Sequence, residues 1–274
     1  NLCILEEMVE LLESADDSSG TVGAEIEGSL ERIQDLIADE AEWPAEVRHD
    51  MMRLLLEASE QPELAGWDDW RLALLQSASY LAVTDTVLRD QWHAALSRAG
   101  DEAKGSGWGS DYRSERLDLM RYEMLLATGA EAEARLFQQD RLHHSEFRKQ
   151  AIQQARAEGD YERAIHLSRE GEEQDSARGL PGLVNKWKQF RYELYRLTGQ
   201  TREQQELGID LLMDGDFSYY QQVKNICLPS EWPQIYRDLL NRLRLSNGRE
   251  HSLYTRILVA ERETDLLFAY VAKN

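Results

Sequence analysis

Apolar residues recur at helical spacing along nearly the whole chain, and this periodicity is the feature that most limits the fold. Residues 24–37 show it clearly, with apolar side chains three or four positions apart: Ile26, Leu30, Ile33 and Ile37. That spacing places side chains on one face of an α-helix. No stretch alternates polar and apolar residues with a period of two, as a half-buried β-strand does. The pattern predicts an all-α protein.

Glycines follow helical segments at three places, Gly129, Gly159 and Gly199. Glycine is favoured immediately after a helix because it adopts the left-handed conformation without a steric penalty. A short polar stretch and a further helical segment follow each of them, which is typical of two helices joined by a tight turn. The intervals of 30 and 40 residues fall in the range of helical repeats. We therefore expect about 13 to 15 helices, arranged as antiparallel pairs in a right-handed α-α superhelix.

Residues 100–110 interrupt the helical pattern with four glycines among serine, aspartate and lysine. This composition is typical of a flexible connection between domains. The sequence thus predicts an acidic helical domain at 1–100, a linker at 101–110 and a helical-repeat domain at 111–274. The glycine-rich run 105–109 lacks the Lys-Ser/Thr pair of a phosphate-binding loop, so we interpret it as part of the linker.

Acidic residues dominate the first half of the chain. The whole sequence holds 31 Lys and Arg against 51 Asp and Glu, a net charge of −20. Residues 1–110 contain 7 basic and 24 acidic residues, a net charge of −17. Residues 111–274 contain 24 basic and 27 acidic residues, a net charge of −3. Nucleic acids and anionic membranes both require a positively charged surface. The first half is therefore expected to be solvated or to face a basic partner.

Two cysteines, Cys3 and Cys227, are the only ones in the sequence. They cannot form a disulfide framework or a thiolate zinc site, and such low cysteine usage is typical of the cytoplasm. No apolar run approaches the roughly 20 residues of a membrane-spanning helix. The chain begins at Asn1 without a methionine or a signal peptide. We predict a cytoplasmic protein with further residues upstream of this start.

Metal sites and catalytic motifs are not indicated by the sequence. The run Asp16–Gly20 fails the calcium-loop pattern, since Ala15 and Ile26 would occupy its first and last ligand positions. Glu162, His166 and Glu170 share a helix face, which we interpret as a solvated charge stripe. G-x-S-x-G, H-E-x-x-H and paired Cys-His arrangements are missing from the sequence. We therefore predict no catalytic residue, no cofactor and no bound metal.

Basic and aromatic residues alternate between Lys186 and Tyr192, as they do on some nucleic-acid-binding surfaces. Helical spacing instead predicts a core stripe made of Trp187, Phe190, Leu194 and Leu197. The basic side chains would then surround it at the surface. Residues 180–260 contain 11 basic and 9 acidic residues, a balance of +2. The predicted partner-binding residues are Lys186, Lys188, Arg191, Arg196, Tyr219 and Tyr220.

Several segments resemble the helical C-terminal region of bacterial SWIM zinc-finger family proteins. The resemblance extends loosely over residues 5–245 and is sharpest in four segments: 183–188, 192–195, 211–220 and 231–232. It implies an uncharacterised helical-repeat scaffold, with a Snf-type helicase as a possible neighbour. The family's C-x-C…C-x-H finger has no counterpart here. That module is expected either to be absent or to precede Asn1.

The second half is also similar to tetratricopeptide repeats, a helical solenoid. Gly159, Tyr161 and Ala164 match the repeat pattern, whereas Ile152 and Ser168 occupy positions that usually hold a small residue and an aromatic one.

The function expected from these patterns is a non-enzymatic protein–protein interaction scaffold with an unidentified protein partner. One alternative is a nucleic-acid-associated module that uses the less acidic face of residues 180–260. The other is an enzyme with a closed polar pocket.

Overall fold

The computed structural model describes residues 7, 20–38, 43–64, 66–103, 109–245 and 250–272. All regular structure in these ranges is helical, comprising 14 α-helices and one short 3-10 helix, with no strand. Neighbouring helices pack against each other in pairs, so the predicted all-α fold of paired helices is confirmed. The expected helix over residues 2–12, the run Asp16–Ser19 and half of the predicted linker, 104–108, lie outside the described residues.

The chain divides into two compact units, residues 1–140 and residues 141–274. The described helices of the first unit are α1 (Thr21–Ala38), α2 (Ala45–Ser59), a 3-10 turn (Pro62–Leu64), α3 (Asp68–Ala82), α4 (Thr86–Ala103), α5 (Ser110–Ala127) and α6 (Glu131–Gln139). Helix α3 lies at the centre, because it packs against α1, α2, α4 and α5. The buried indole of Trp92 on α4 donates a hydrogen bond of 2.8 Å to the Leu75 carbonyl of α3.

Helices α5 and α6 belong to the first unit, whereas the sequence pattern places residues 111–140 in the second domain. The reason lies in packing. Leu117, Met120 and Met124 of α5 are buried in the same apolar core as α1 to α4. A glycine-rich interruption indicates that a helix ends, but it does not indicate which core the next helix packs into.

The second unit contains eight described helices: α7 (Ser145–Ala157), α8 (Tyr161–Ala177), α9 (Pro181–Thr198), α10 (Thr201–Met213), α11 (Ser218–Ile226), α12 (Trp232–Leu245), α13 (Glu250–Ala260) and α14 (Thr264–Val271). The main contacts run from each helix to its neighbour in sequence, from α7 to α11 and again from α12 to α14. This arrangement is typical of helical repeats, in which local contacts build the core.

Six helices end in the same turn, in which an N–H two or three residues beyond the helix donates a hydrogen bond to the carbonyl five residues earlier. Its hydrogen bonds measure between 2.8 and 3.2 Å. The residue in the left-handed conformation has φ between 59° and 108° in all six turns: Gly129, Gly159, Gly179, Gly199, Gly215 and Arg262. The predicted role of Gly129, Gly159 and Gly199 is therefore confirmed, and Arg262 is the exception to the use of glycine.

Two helical glycines allow the helices of the second unit to approach closely. A Cβ atom on Gly208 of α10 would lie 2.7 Å from Cγ2 of Val223 on α11 and 2.9 Å from Cε2 of Tyr192 on α9. A Cβ atom on Gly171 of α8 would lie 2.6 Å from Cδ of Arg148 on α7. Both distances are shorter than side-chain packing permits, so the helix spacing depends on these glycines.

A buried polar network joins α7, α8 and α9. The Trp187 indole donates a hydrogen bond of 2.7 Å to Oδ2 of Asp175, which is nearly inaccessible to solvent. The guanidinium of buried Arg148 donates to the Leu167 carbonyl at 3.0 Å and to Oε1 of Gln174 at 2.8 Å. These bonds satisfy polar groups that would otherwise destabilise the core.

Gly208→Ala is expected to lower the free energy of unfolding of the second unit by about 1–2 kcal/mol. Overpacking costs about 1–3 kcal/mol, and the better helix propensity of alanine recovers up to about 1 kcal/mol. Gly182→Ala is the matched control, since a Cβ there meets nothing within 4 Å. Chemical denaturation of both variants measures the difference. Equal stability of the two would contradict the proposed close packing at Gly208.

Arg262→Gly is expected to stabilise the junction of α13 and α14 by about 0.5–1 kcal/mol, because glycine adopts positive φ without the penalty of a Cβ atom. Arg262→Ala removes the same charge but keeps the Cβ atom, so it is expected to give no gain. Denaturation curves of the two variants separate conformation from charge. A gain shared by both would assign the effect to the charge instead.

Candidate functional site

The first unit contains a cleft of about 590 Å³ between α1, α5 and the beginning of α3. Its apolar lining comes mainly from Leu30, Ala73 and aromatic side chains, and its rim is acidic. The lining residues are Glu27, Leu30, Glu31, Gln34, Gly66, Trp67, Asp68, Asp69, Trp70, Ala73 and Tyr112. We call this feature the acidic aromatic cleft. Its volume lies in the range of small-molecule and peptide side-chain sites.

Two stacked indoles form one wall of the cleft. Trp67 precedes α3 and Trp70 lies in its first turn, and their ring centroids are 4.3 Å apart with an interplanar angle of 10°. Trp70 is buried, whereas Trp67 is 40% exposed. Because Trp70 covers one face of the Trp67 ring, the exposed surface of Trp67 is its opposite face and its edges. Part of the Trp67 ring is therefore accessible to a ligand in the cleft.

Four carboxylates line the same cleft as Trp67, and none of the described lining residues is a lysine or arginine. Glu27 and Glu31 are exposed and lie one turn apart on α1, and neither makes an ion pair within the described ranges. Like charges at this spacing destabilise a helix by about 0.2–0.5 kcal/mol. A cation bound between them would relieve that repulsion.

Tyr112 on α5 also lines the cleft. Its hydroxyl donates a hydrogen bond of 2.8 Å to Oδ1 of Asp69, while half of the side chain remains exposed. Partial burial and the neighbouring Asp69 carboxylate raise the pKa of Tyr112 above its usual value. The hydroxyl therefore stays protonated and continues to orient Asp69. Asp68, the fourth carboxylate, forms an ion pair with Arg113.

The basic residues predicted to bind a partner lie in the second unit, and each is paired with a carboxylate. Lys186 Nζ lies 3.1 Å from Glu146, and Lys188 Nζ lies 2.8 Å from Asp214. The guanidinium groups form ion pairs of 2.6 Å, between Arg191 and Glu172 and between Arg196 and Glu193. Three of these four pairs connect α9 to another helix or turn, so they contribute to packing within the unit.

Tyr219 and Tyr220 lie in the core of the second unit, which corrects their predicted place on a contact surface. Their exposed fractions are 9% and 2%. The ring of Tyr219 packs edge-on against Tyr192 at 4.9 Å, and that of Tyr220 stacks on Phe217 at 5.5 Å. Both tyrosines belong to the buried face of α11, where their aromatic rings fill space in the core.

The core stripe predicted for α9 is largely confirmed. Trp187 and Leu194 are almost inaccessible to solvent and Phe190 is half-buried, but Leu197 is 43% exposed. Leu197 lies in the last turn of α9, where the neighbouring helices no longer cover this face. The stripe therefore ends one turn earlier than its spacing predicts.

Glu261 links two elements of the second unit through charged hydrogen bonds. It accepts a bond of 2.7 Å from the Tyr220 hydroxyl and one of 2.6 Å from Lys224 Nζ. Burial acts to raise the pKa of the Glu261 carboxyl, but the bonds from Lys224 and Tyr220 outweigh it, so the pKa is lowered. Burial and the same carboxylate raise the pKa of Tyr220 far above its usual range.

The helix face with Glu162, His166 and Glu170 is exposed, as expected for a solvated stripe. His166 Nδ1 lies 3.5 Å from Glu170. In the part of the chain that the structure describes, no group of three or more His, Cys, Asp or Glu side chains could hold a metal ion. Within the same ranges, no helix has both the length and the apolar character needed to cross a membrane.

The net charge of the protein is divided differently when it is counted by structural unit, with the boundary after residue 140, than when it is counted on either side of residue 110. Residues 1–140 contain 11 basic and 31 acidic residues, whereas residues 141–274 contain 20 of each. The first unit therefore carries the entire net charge of −20, and the second is neutral. The acidic aromatic cleft lies in the charged unit, which favours a cationic ligand.

Sequence reasoning missed the cleft, although the run Trp67-Asp68-Asp69-Trp70 is a local signal for it. Glu27 and Tyr112 are far from this run in sequence, and only the packing of α1 and α5 on α3 brings them to the same cleft.

Glu261→Gln is expected to reduce the loss of stability of the second unit at acid pH. A lowered pKa means that Glu261 stabilises the fold above its unfolded-state pKa and that this stabilisation is lost as the pH falls through the folded-state pKa. Unfolding free energies measured between about pH 3 and pH 7 should fall less steeply for Glu261→Gln than for the original protein. The exposed Glu173→Gln serves as a control with an unchanged slope. Identical slopes for both variants would contradict this linkage.

No family model matches this chain, and no curated protein or solved structure matches it either.

Proposed function

We propose that this protein is a non-enzymatic protein–protein interaction scaffold whose first unit binds a basic segment of a partner protein in the acidic aromatic cleft. The observation that supports this function best is the combination of the exposed Trp67 with four carboxylates, of which Asp68 is paired with Arg113, in a cleft whose described lining residues include no lysine or arginine. Such a cleft attracts a cation and offers it a surface to stack on.

The energetics are those of a modest, salt-sensitive interaction. A cation over an exposed indole gains about 0.5–1 kcal/mol, and each ion pair with an exposed carboxylate adds about 0.2–1 kcal/mol. Ordering a flexible peptide opposes these gains. Weak binding of a short basic peptide is therefore expected, with a dissociation constant nearer the millimolar than the micromolar range and a further loss of affinity as salt screens the exposed charges.

The second unit fits the role of a neutral support. Its helices pack mainly against their sequence neighbours, as in repeat proteins that present extended surfaces to partners. The resemblance to SWIM-associated helical regions adds the proposal of a bacterial, cytoplasmic assembly with a Snf-type helicase as a possible neighbour.

The alternative of direct nucleic-acid binding has less support. To bind a phosphate, each predicted basic residue would first have to leave the carboxylate with which it is paired: Lys186, Lys188, Arg191 and Arg196.

Glu27→Gln/Glu31→Gln is expected to weaken binding of a fluorescein-labelled basic peptide by about five- to tenfold, because it removes the two unpaired carboxylates of the cleft. The change is measured by fluorescence anisotropy at about 50 mM and 300 mM NaCl. Glu25→Gln/Asp35→Asn is the matched control. Both of its residues are exposed on α1, lie outside the cleft and carry the same total charge.

The control variant is expected to change the affinity by less than about twofold, the effect of net charge alone. Failure of the unmodified protein to bind the basic peptide at low salt would overturn the proposed function. Equal weakening by the two double variants would also overturn it, because the cleft would then contribute no more than the general acidity of the first unit.

A further inference from the structure

We propose that the acidic aromatic cleft selects arginine over lysine, with the guanidinium plane of one arginine of the partner stacked on the exposed face of Trp67. This inference rests on the proposed function, since it specifies the side chain that the basic segment supplies. The occupant is therefore an arginine within a flexible basic segment of another protein.

The first argument is the shape of the aromatic surface. Trp70 lies parallel to Trp67 at a centroid distance of 4.3 Å and holds it from behind. The open face of Trp67 is consequently flat and fixed. A planar guanidinium can lie over such a face across its whole area, whereas the compact ammonium of lysine contacts it at one point.

The second argument is the number of acceptors. Glu27 and Glu31 are unpaired within the described residues, and Asp69 is held in place by the Tyr112 hydroxyl but keeps acceptor capacity. A carboxylate offers about four acceptor positions. An arginine brings five N–H donors in one plane, so it can bond to carboxylates at its edges while its face rests on the indole. A lysine brings three donors and must turn them all away from the ring.

The third argument is desolvation. The cleft is lined by apolar side chains in addition to its carboxylates, among them Leu30, Ala73 and the buried Trp70. Guanidinium is more weakly hydrated than ammonium, so it loses less on entering such surroundings. A volume of about 590 Å³ also leaves room for residues that flank the arginine, which favours a peptide segment over a free amino acid.

The test uses three labelled peptides of the same Gly/Ser-rich sequence that carry arginine, lysine or neutral citrulline at the same two positions. Binding to the full chain is measured by fluorescence anisotropy at about 50 mM NaCl. The arginine peptide is expected to bind about five- to tenfold more tightly than the lysine peptide. The citrulline peptide keeps the planar shape without the charge and is expected to bind more weakly than either.

Two variants connect the selectivity to the stack. Trp67→Leu keeps an apolar side chain but removes the aromatic face, so the preference for arginine should fall to less than about twofold. Trp67→Phe keeps a smaller aromatic face and should retain part of the preference. Circular dichroism melts establish that both variants are folded. We expect both to fold, because Trp67 is 40% exposed and its replacement leaves most of the core unchanged.

The outcomes separate the two proposals. Equal affinity for the arginine and lysine peptides, with both weakened by Glu27→Gln/Glu31→Gln, would overturn the arginine preference and leave the proposed function intact. A preference that survives in Trp67→Leu would overturn the stacking geometry. Binding of none of the peptides would overturn both proposals.

Discussion

The tight turn that ends six of the helices is the constraint on which the rest of the structure depends. One residue in the left-handed conformation reverses the chain, and a hydrogen bond to a carbonyl five residues earlier closes the helix end. Because only two to four residues join the helices at these turns, the next helix packs against the previous one. The core of the second unit follows from that geometry, and so does the need for Gly171 and Gly208 where three helices meet.

The sequence predicts local features of this fold well, since turns and apolar stripes depend on residues close in the chain. The turns at Gly129, Gly159 and Gly199 and the burial of Trp187 and Leu194 are examples. Features that depend on distant residues escape such reasoning. Helix α5 joins the first unit because three of its apolar side chains complete that core, and nothing within α5 itself distinguishes the two possible destinations.

The candidate site shows the same limit more sharply. The predicted contact residues are basic or aromatic, but pairing and burial decide whether such residues are available. Arg191 is engaged by Glu172, and Tyr220 fills the core beside Phe217. In contrast, Glu27 and Trp67 are ordinary in sequence, and they line one candidate site only because α1 packs beside the beginning of α3. Tertiary packing therefore selects which charges are satisfied internally and which remain for a ligand.

The uneven division of charge has a kinetic consequence. With 11 basic and 31 acidic residues, the first unit carries a field that extends about one Debye length into solution, roughly 8 Å at physiological salt. A basic partner would feel this field before it touches the protein, so the association rate would rise at low ionic strength while the dissociation rate, set by contacts in the cleft, would change less. The neutral second unit adds no comparable steering. Speed of encounter and selectivity of the bound state would thus be controlled by different residues of the same unit.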